Sequence, residues 1–180
     1  MKIVGIDLAT EKGKTGFCFL KDRKIETSIL KTDKEIIEKI KSAKANVIAI
    51  DAPLSLPRDG KTRKAEKELR KMGIRVYPPL IPSMRNLTLR GIKLRKKLEK
   101  KYRVIEVYPG IFYDKFGIPR KKNRNKLIKL FKNKFGIKAK GKLNQHELDA
   151  ITAAVIGKLF LKKKTVAVGD QREGQIIIIK

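Results

Sequence analysis

The sequence predicts a mixed α/β protein: a five-stranded sheet in the order 3-2-1-4-5, flanked by helices, with a β-hairpin at the C-terminus. Three observations carry this. Three short strand-like runs joined by short turns come first, and further runs then alternate with segments of helical period. Two of the runs, Lys2-Ile-Val-Gly-Ile-Asp7 and Val47-Ile-Ala-Ile-Asp51, close on an aspartate. The chain carries 46 Lys and Arg against 18 Asp and Glu, a net charge of +28. Acids are therefore scarce, and an acid at the end of a buried strand is costly to desolvate unless its charge is used.

The elements follow in order. Residues 2–8 read as a strand, and residues 16–20 and 25–30 as two more, with Asp22-Arg23 as a tight hairpin connection. Thr32-Asp-Lys-Glu35 is a capping box opening a helix whose apolar stripe is Ile36, Ile37 and Ile40. Residues 47–51 are continuously apolar before the closing aspartate, as a central parallel strand requires. Pro53 and Pro57 turn the chain into a loop, and Asp59-Gly60 gives a turn. A basic helix is expected over 62–72, stopping near Gly73. After Pro78, Pro79 and Pro82, Ser83 can cap a helix running to about Lys101, with Leu87, Leu94 and Leu98 inward.

Residues 104–108 form the fifth strand, ended by Pro109-Gly110. Helices are expected over 123–135 and 143–160, separated by a basic loop over 136–141. Residues 166–169 and 175–179 close the chain as a hairpin. No repeat and no Gly/Ser tract divides the sequence, so one domain over 1–180 is expected. The single Cys18 is a small core residue.

So positive a chain attracts polyanions, nucleic acid above all. The polybasic stretches alternate with apolar residues at helix spacing, as solvated faces of globular helices do, so a membrane-surface role is not expected. No apolar run approaches the roughly 20 residues of a membrane helix. Met1-Lys2 runs straight into a strand without a secretory signal, and a cytoplasmic protein is expected.

Strand order then makes a site. Direction reverses around the first strand, and ligands favour the carboxyl ends of parallel strands at such a switch point. Neighbouring strands lie roughly 4.8 Å apart, so Asp7 and Asp51 would be close enough to share a cation. Without one, two carboxylates at that distance repel and one takes up a proton.

Four motifs carry a resemblance. They are Val4-Gly-Ile-Asp7-Leu-Ala9, Ala49-Ile-Asp51-Ala-Pro53, Ile105-Glu106-Val-Tyr-Pro109 and His146-Glu-Leu-Asp149-Ala150. In this order on these elements, the chain resembles the ribonuclease-H-like superfamily, and within it a broad, largely uncharacterised family of predicted nucleases. The His-x-x-Asp-Ala pattern is similar to that of Holliday-junction resolvases of this fold. The resemblance implies a metal-dependent nuclease acting on DNA or RNA, with two Mg2+ or Mn2+ ions held by carboxylates. By position, Asp7 would be the central ligand, Asp51 would hold one ion and Asp149 the other, with His146 one turn before Asp149. Glu106 would be a further ligand, or a group orienting water or Arg63. A resolvase would act as a symmetric homodimer.

Plainer readings stand beside these. Asp7 and Asp51 can cap turns after their strands, and His146 can cap the last helix near Asn144. Arg63, Lys64, Lys67 and Arg70 suit a solvated helix face, from which Arg63 and Lys67 would contact substrate phosphate, as would Arg85 after the proline-rich loop. A nucleic-acid-binding protein that keeps the fold without turnover is the alternative function, resting on charge alone.

Overall fold

The computed structural model describes residues 1–119, 123–139 and 141–180, so part of the expected 136–141 loop lies outside the described residues. β1 (Lys2–Asp7) pairs antiparallel with β2 (Thr15–Lys21), which pairs antiparallel with β3 (Lys24–Leu30). After α1 (Asp33–Ala43), β4 (Val47–Asp51) adds parallel to β1, so the direction of the sheet reverses at β1. α2 (Lys64–Lys71) and α3 (Pro82–Leu98) lead to β5 (Val104–Val107), parallel to β4. Three helices follow, α4 (Pro109–Lys115), α5 (Arg124–Phe135) and α6 (Gln145–Leu161). β6 (Thr165–Val168) and β7 (Ile176–Ile179) end the chain, and the sheet order is β3-β2-β1-β4-β5-β7-β6.

The expected order 3-2-1-4-5 is present, and the terminal hairpin extends it rather than standing apart. β7 lies parallel to β5, with β6 outside it. The reason is in the sequence. Four consecutive isoleucines, all buried, have apolar side chains on both faces, so they need a sheet covered on both sides.

Residues on β1 and β4 alternate between two cores. Val4, Ile6, Ile48 and Ile50 pack with Ile36 and Ile40 of α1 and with Leu94 and Leu98 of α3. Ile3, Val47 and Ala49 pack on the other face, against α6 and the aromatic residues of α4 and α5. α1 starts as expected, because Thr32 accepts from the Glu35 N–H and the Glu35 carboxylate accepts from the Thr32 N–H. α3 begins one residue before Ser83, with Pro82 in its first turn, where the missing N–H of proline is no loss. For the same reason Pro109 opens the short helix α4 rather than simply closing β5. No helix among the described residues is long and apolar enough to cross a membrane.

α6 lies almost directly on β1 and β2. A Cβ built at Gly5 would overlap the Ala150 carbonyl oxygen and the Ala154 nitrogen, and one at Gly16 would overlap the His146 carbonyl. Glycine here provides backbone contact between helix and strand. At the other edge of the structure, the Glu173 carboxylate accepts from the N–H groups of Arg58 (3.0 Å) and Lys64 (2.6 Å), the latter the first residue of α2. These hydrogen bonds hold the Glu173 carboxyl below its ordinary value.

Two outcomes follow. Gly5→Ala should lower stability by about 1–3 kcal/mol or more, because only backbone movement of α6 makes room; urea unfolding measures this. The second concerns acid. Because the folded-state pKa of Glu173 is depressed, its contribution to stability is present above the unfolded value and is lost as pH falls below about 4.3. Glu173→Gln should therefore flatten the fall in unfolding midpoint across that acid range, while changing little of its shape above it.

Candidate carboxylate site

Asp7 and Asp51 are register partners across β1 and β4, at the carboxyl ends of adjacent parallel strands. Parallel neighbours lie about 4.8 Å apart, so both acids stand at one edge of the sheet. His146 joins them. Its Nδ1 lies 2.7 Å from Asp7 Oδ2, with the two side chains 48% and 18% exposed. The local sequence explains why. Asn144 caps α6: its side chain accepts from the Glu147 N–H, and the Glu147 carboxylate accepts from the Asn144 N–H. Asn144 thus takes the capping role considered for His146. Gly16, beneath the His146 carbonyl, seats the first turn of α6 on β2.

Asp149 lies one turn further along and is held by other groups. The Tyr113 hydroxyl donates to its Oδ1 at 2.6 Å, and Gln145 Nε2 donates to its Oδ2 at 3.1 Å. Among the described residues no three His, Cys, Asp or Glu side chains are grouped to hold a metal ion. The pair assembled is Asp7 with Asp51, and His146 on Asp7. Asp149 is instead hydrogen-bonded by Tyr113 of α4 and by Gln145.

Arg63 overturns its expected role. It is 0% exposed, so it is neither on a solvated helix face nor placed to contact substrate phosphate. Nε donates to Glu66 at 3.0 Å, Nη1 donates to Glu106 Oε2 at 2.8 Å and to Ser55 Oγ at 2.7 Å, and Nη2 reaches both carboxylates. Glu106 also accepts from the Leu54 N–H at 2.8 Å. With both oxygens engaged, Glu106 pairs with Arg63, the second of the two roles considered for it. Burial pushes the Glu106 carboxyl up, and Arg63 opposes that shift. Burial also works against the Arg63 charge, but Glu106 and then Glu66 outweigh it and hold its pKa above the ordinary value.

Asp7, Asp51, Glu66, Glu106, Tyr77 and Tyr108 line a common cleft of ≈ 200 Å³. Lys67 is exposed on α2, and Arg85 is exposed in the first turn of α3 beside Met84, which also lines the cleft. Behind the loop after β1, the buried Arg90 donates to the carbonyls of Ala9 (2.6 Å) and Thr10 (2.9 Å) and to Asp33 (2.9 Å).

Sequence reasoning missed Glu66, Tyr113, Tyr77 and Arg90. Two had a usable signal. Arg63-x-x-Glu66 has the spacing of a capping pair, and Glu66 does accept from the Arg63 N–H. Pro109 in a first helical turn would have placed Tyr113 on a helix. Tyr77 and Arg90 had none, since their roles depend on contacts distant in sequence.

The family described as "Protein of unknown function (DUF429)" matches residues 5–173, and the chain belongs to it. No curated protein matches the chain. Among solved structures, Thermus thermophilus RuvC is similar at 11% identity, with a TM-score of 0.55, over 91% of this chain and 96% of that one. T. thermophilus RuvC in complex with Holliday junction substrate is similar at 12% identity, with the same TM-score of 0.55 and the same coverage, 91% and 96%. At such identities the likeness shows the fold, which is ribonuclease-H-like, as expected from the motifs.

Arg63→Met should destabilise the protein by about 3–5 kcal/mol, since it leaves Glu66 and Glu106 buried without their cation. Arg63→Lys should recover only part of this, because one ammonium cannot reproduce a guanidinium fork. Denaturant unfolding of the two variants beside the unmodified protein checks both.

Proposed function

We propose that this member of the DUF429 family is a nuclease, hydrolysing phosphodiester bonds of DNA or RNA with Mg2+ or Mn2+ held by Asp7 and Asp51. The observation that carries the reading is the register pairing of these two acids at the reversal point of a ribonuclease-H-like sheet, with His146 against Asp7. The donor set fits the ion. Hard divalent cations take oxygen ligands, and a shared cation removes the repulsion between adjacent carboxylates. Such an ion would supply activation of water and stabilisation of the leaving oxygen.

The chain's own residues do the rest. Asp7 and Asp51 would hold the ion. His146 orients Asp7 through Nδ1 and can carry a proton at the exposed rim. Asp149 would serve a second ion, which requires it to leave Tyr113 and Gln145. Lys67 and Arg85 stand exposed for phosphate contact, and the +28 charge draws the polyanion in. A branched substrate would call for a symmetric dimer. The proposed setting is cytoplasmic.

A second reading is a nucleic-acid-binding protein without turnover. It is favoured by the engagement of Asp149 with Tyr113 and Gln145.

Purified protein should cleave at least one of duplex, single-stranded or branched substrates with Mg2+ or Mn2+. Asp7→Asn and Asp51→Asn should each reduce the rate on the order of a hundredfold or more, since even groups that only orient a ligand cost 10–100-fold. No cleavage on any substrate with either ion, together with steeply salt-dependent, metal-independent binding, would select the second reading.

A further inference from the structure

A second charged feature lies away from the carboxylate cleft. Beyond the end of α6, Lys162, Lys163 and Lys164 face Lys134 of α5 and Lys115 of α4 across a groove of ≈ 520 Å³, with Lys158 on the helix itself. The lining is apolar between the lysines, with Phe116, Phe135 and Leu159 half-buried. The rings form a cluster: Phe112 and Phe116 have centroids 4.8 Å apart, and Phe112 and Phe135 5.7 Å. Lys134 Nζ sits 4.5 Å from the centre of the Phe116 ring.

Asp22 offsets part of the charge at Lys158, and Lys115 Nζ donates to a Lys180 oxygen. Among the described residues, the ion pairs leave out every one of these lysines. Lys158 Nζ donates to the Asp22 carbonyl at 2.8 Å. Partial burial, and then the positive charges of Lys162 and Arg23, hold the Lys158 ammonium below its ordinary pKa. Like charges gathered around a concavity repel one another, and a bound polyanion relieves that repulsion.

We propose that this groove binds a single strand of nucleic acid, lysines taking the phosphates and the half-buried Phe116, Phe135 and Leu159 lining contacting bases. Charged walls with aromatic faces between them are what strand binding without sequence preference requires. The groove lies far from the candidate centre. His146 and Leu159 are ~20 Å apart along α6, at about 1.5 Å per residue. A stacked strand carries a phosphate every 3.4 Å or so, which makes that separation about six nucleotides. The groove would hold a part of the strand remote from the bond to be cut. The inference rests on the nucleic-acid reading of the charge and not on turnover.

The test is binding of fluorescein-labelled oligothymidylate of about 20 nucleotides, followed by anisotropy in EDTA across a salt series. The groove variant is Lys134→Glu with Lys162→Glu and Lys164→Glu. The control is Lys34→Glu with Lys39→Glu and Lys41→Glu, which changes net charge equally on exposed positions of α1. Circular dichroism confirms that both fold. The groove variant should bind at least about tenfold more weakly than the control, and its salt slope should fall by about 2, given about 0.7 per phosphate contact on single strands. Equal losses in the two variants would overturn the proposal, as would an unchanged groove variant. An abasic strand of the same length should bind more weakly than oligothymidylate, and inorganic polyphosphate should compete poorly. If either binds as well as oligothymidylate, the groove is a general polyphosphate site and the strand proposal fails. No divalent ion is present, so an inactive carboxylate centre leaves this result standing, and cleavage by a protein whose groove proves inert leaves the nuclease reading standing.

Discussion

The backbone contact of α6 with β1 and β2 sets the geometry of the carboxylate edge. Gly5 and Gly16 leave no side chain between helix and sheet, so main-chain atoms determine how far and at what rotation the helix sits. Gly5 and Asp7 point to the same face of β1, two residues apart. Seating α6 on one therefore aims its first turn at the other, and His146 arrives at Asp7. The rest of the helix is consistent with this. From Ala150 to Gly157 every residue is buried, the pattern of a helix enclosed on all sides. Ala150, Ala153, Ala154 and Gly157 keep it slim enough to lie between the sheet and the aromatic layer of α4 and α5.

The second determinant is electrostatic. The cleft gathers the carboxylates of Asp7, Asp51, Glu66 and Glu106, while Arg63 answers the last two. In a chain of net charge +28 this is a sharply local concentration of acid. Such a centre attracts a small cation at short range while the surrounding lysines attract a polyanion at long range. The Arg63 cluster also links β5 to α2, tying the wall of the cleft to the sheet beneath it. That it keeps no polar side-chain atom without a partner is consistent with a rigid wall: among the described residues no buried side-chain nitrogen or oxygen lacks a hydrogen bond.

Much of this was legible before any coordinates. Strand order was readable because β1 and β4 carry apolar runs that each close on an aspartate, and because parallel crossovers have one hand. The pairing of Asp7 with Asp51 followed from that order alone. The role of β7 was harder, since Ile176 to Ile179 signal a buried strand without saying which neighbour buries it. Arg63 was misread because a basic residue at the start of a basic helix looks solvated. Its burial depends on Glu106, 43 positions away. The surroundings of Asp149 were hidden in the same way, since they depend on a short helix opened by a proline that also reads as a strand breaker. Local periodicity reveals elements, whereas the partner of a buried charge is a long-range fact.

The hairpin that completes the sheet has a consequence for how copies of the molecule meet. β6 is an edge strand, with only β7 beside it, and Val166 is 43% exposed. An open edge of this kind is a template for pairing with another chain. Here it spans only Thr165–Val168, and Lys162, Lys163 and Lys164 stand immediately before it. Short length and flanking like charge are two of the ways natural sheets discourage growth from an edge. The lysines beside the edge thus have a second effect as gatekeepers, since like charge on two copies opposes their edge-to-edge approach. Colloidal stability of the protein is thereby tied to ionic strength, because salt that screens the cluster also lowers the barrier to addition of a strand from another copy.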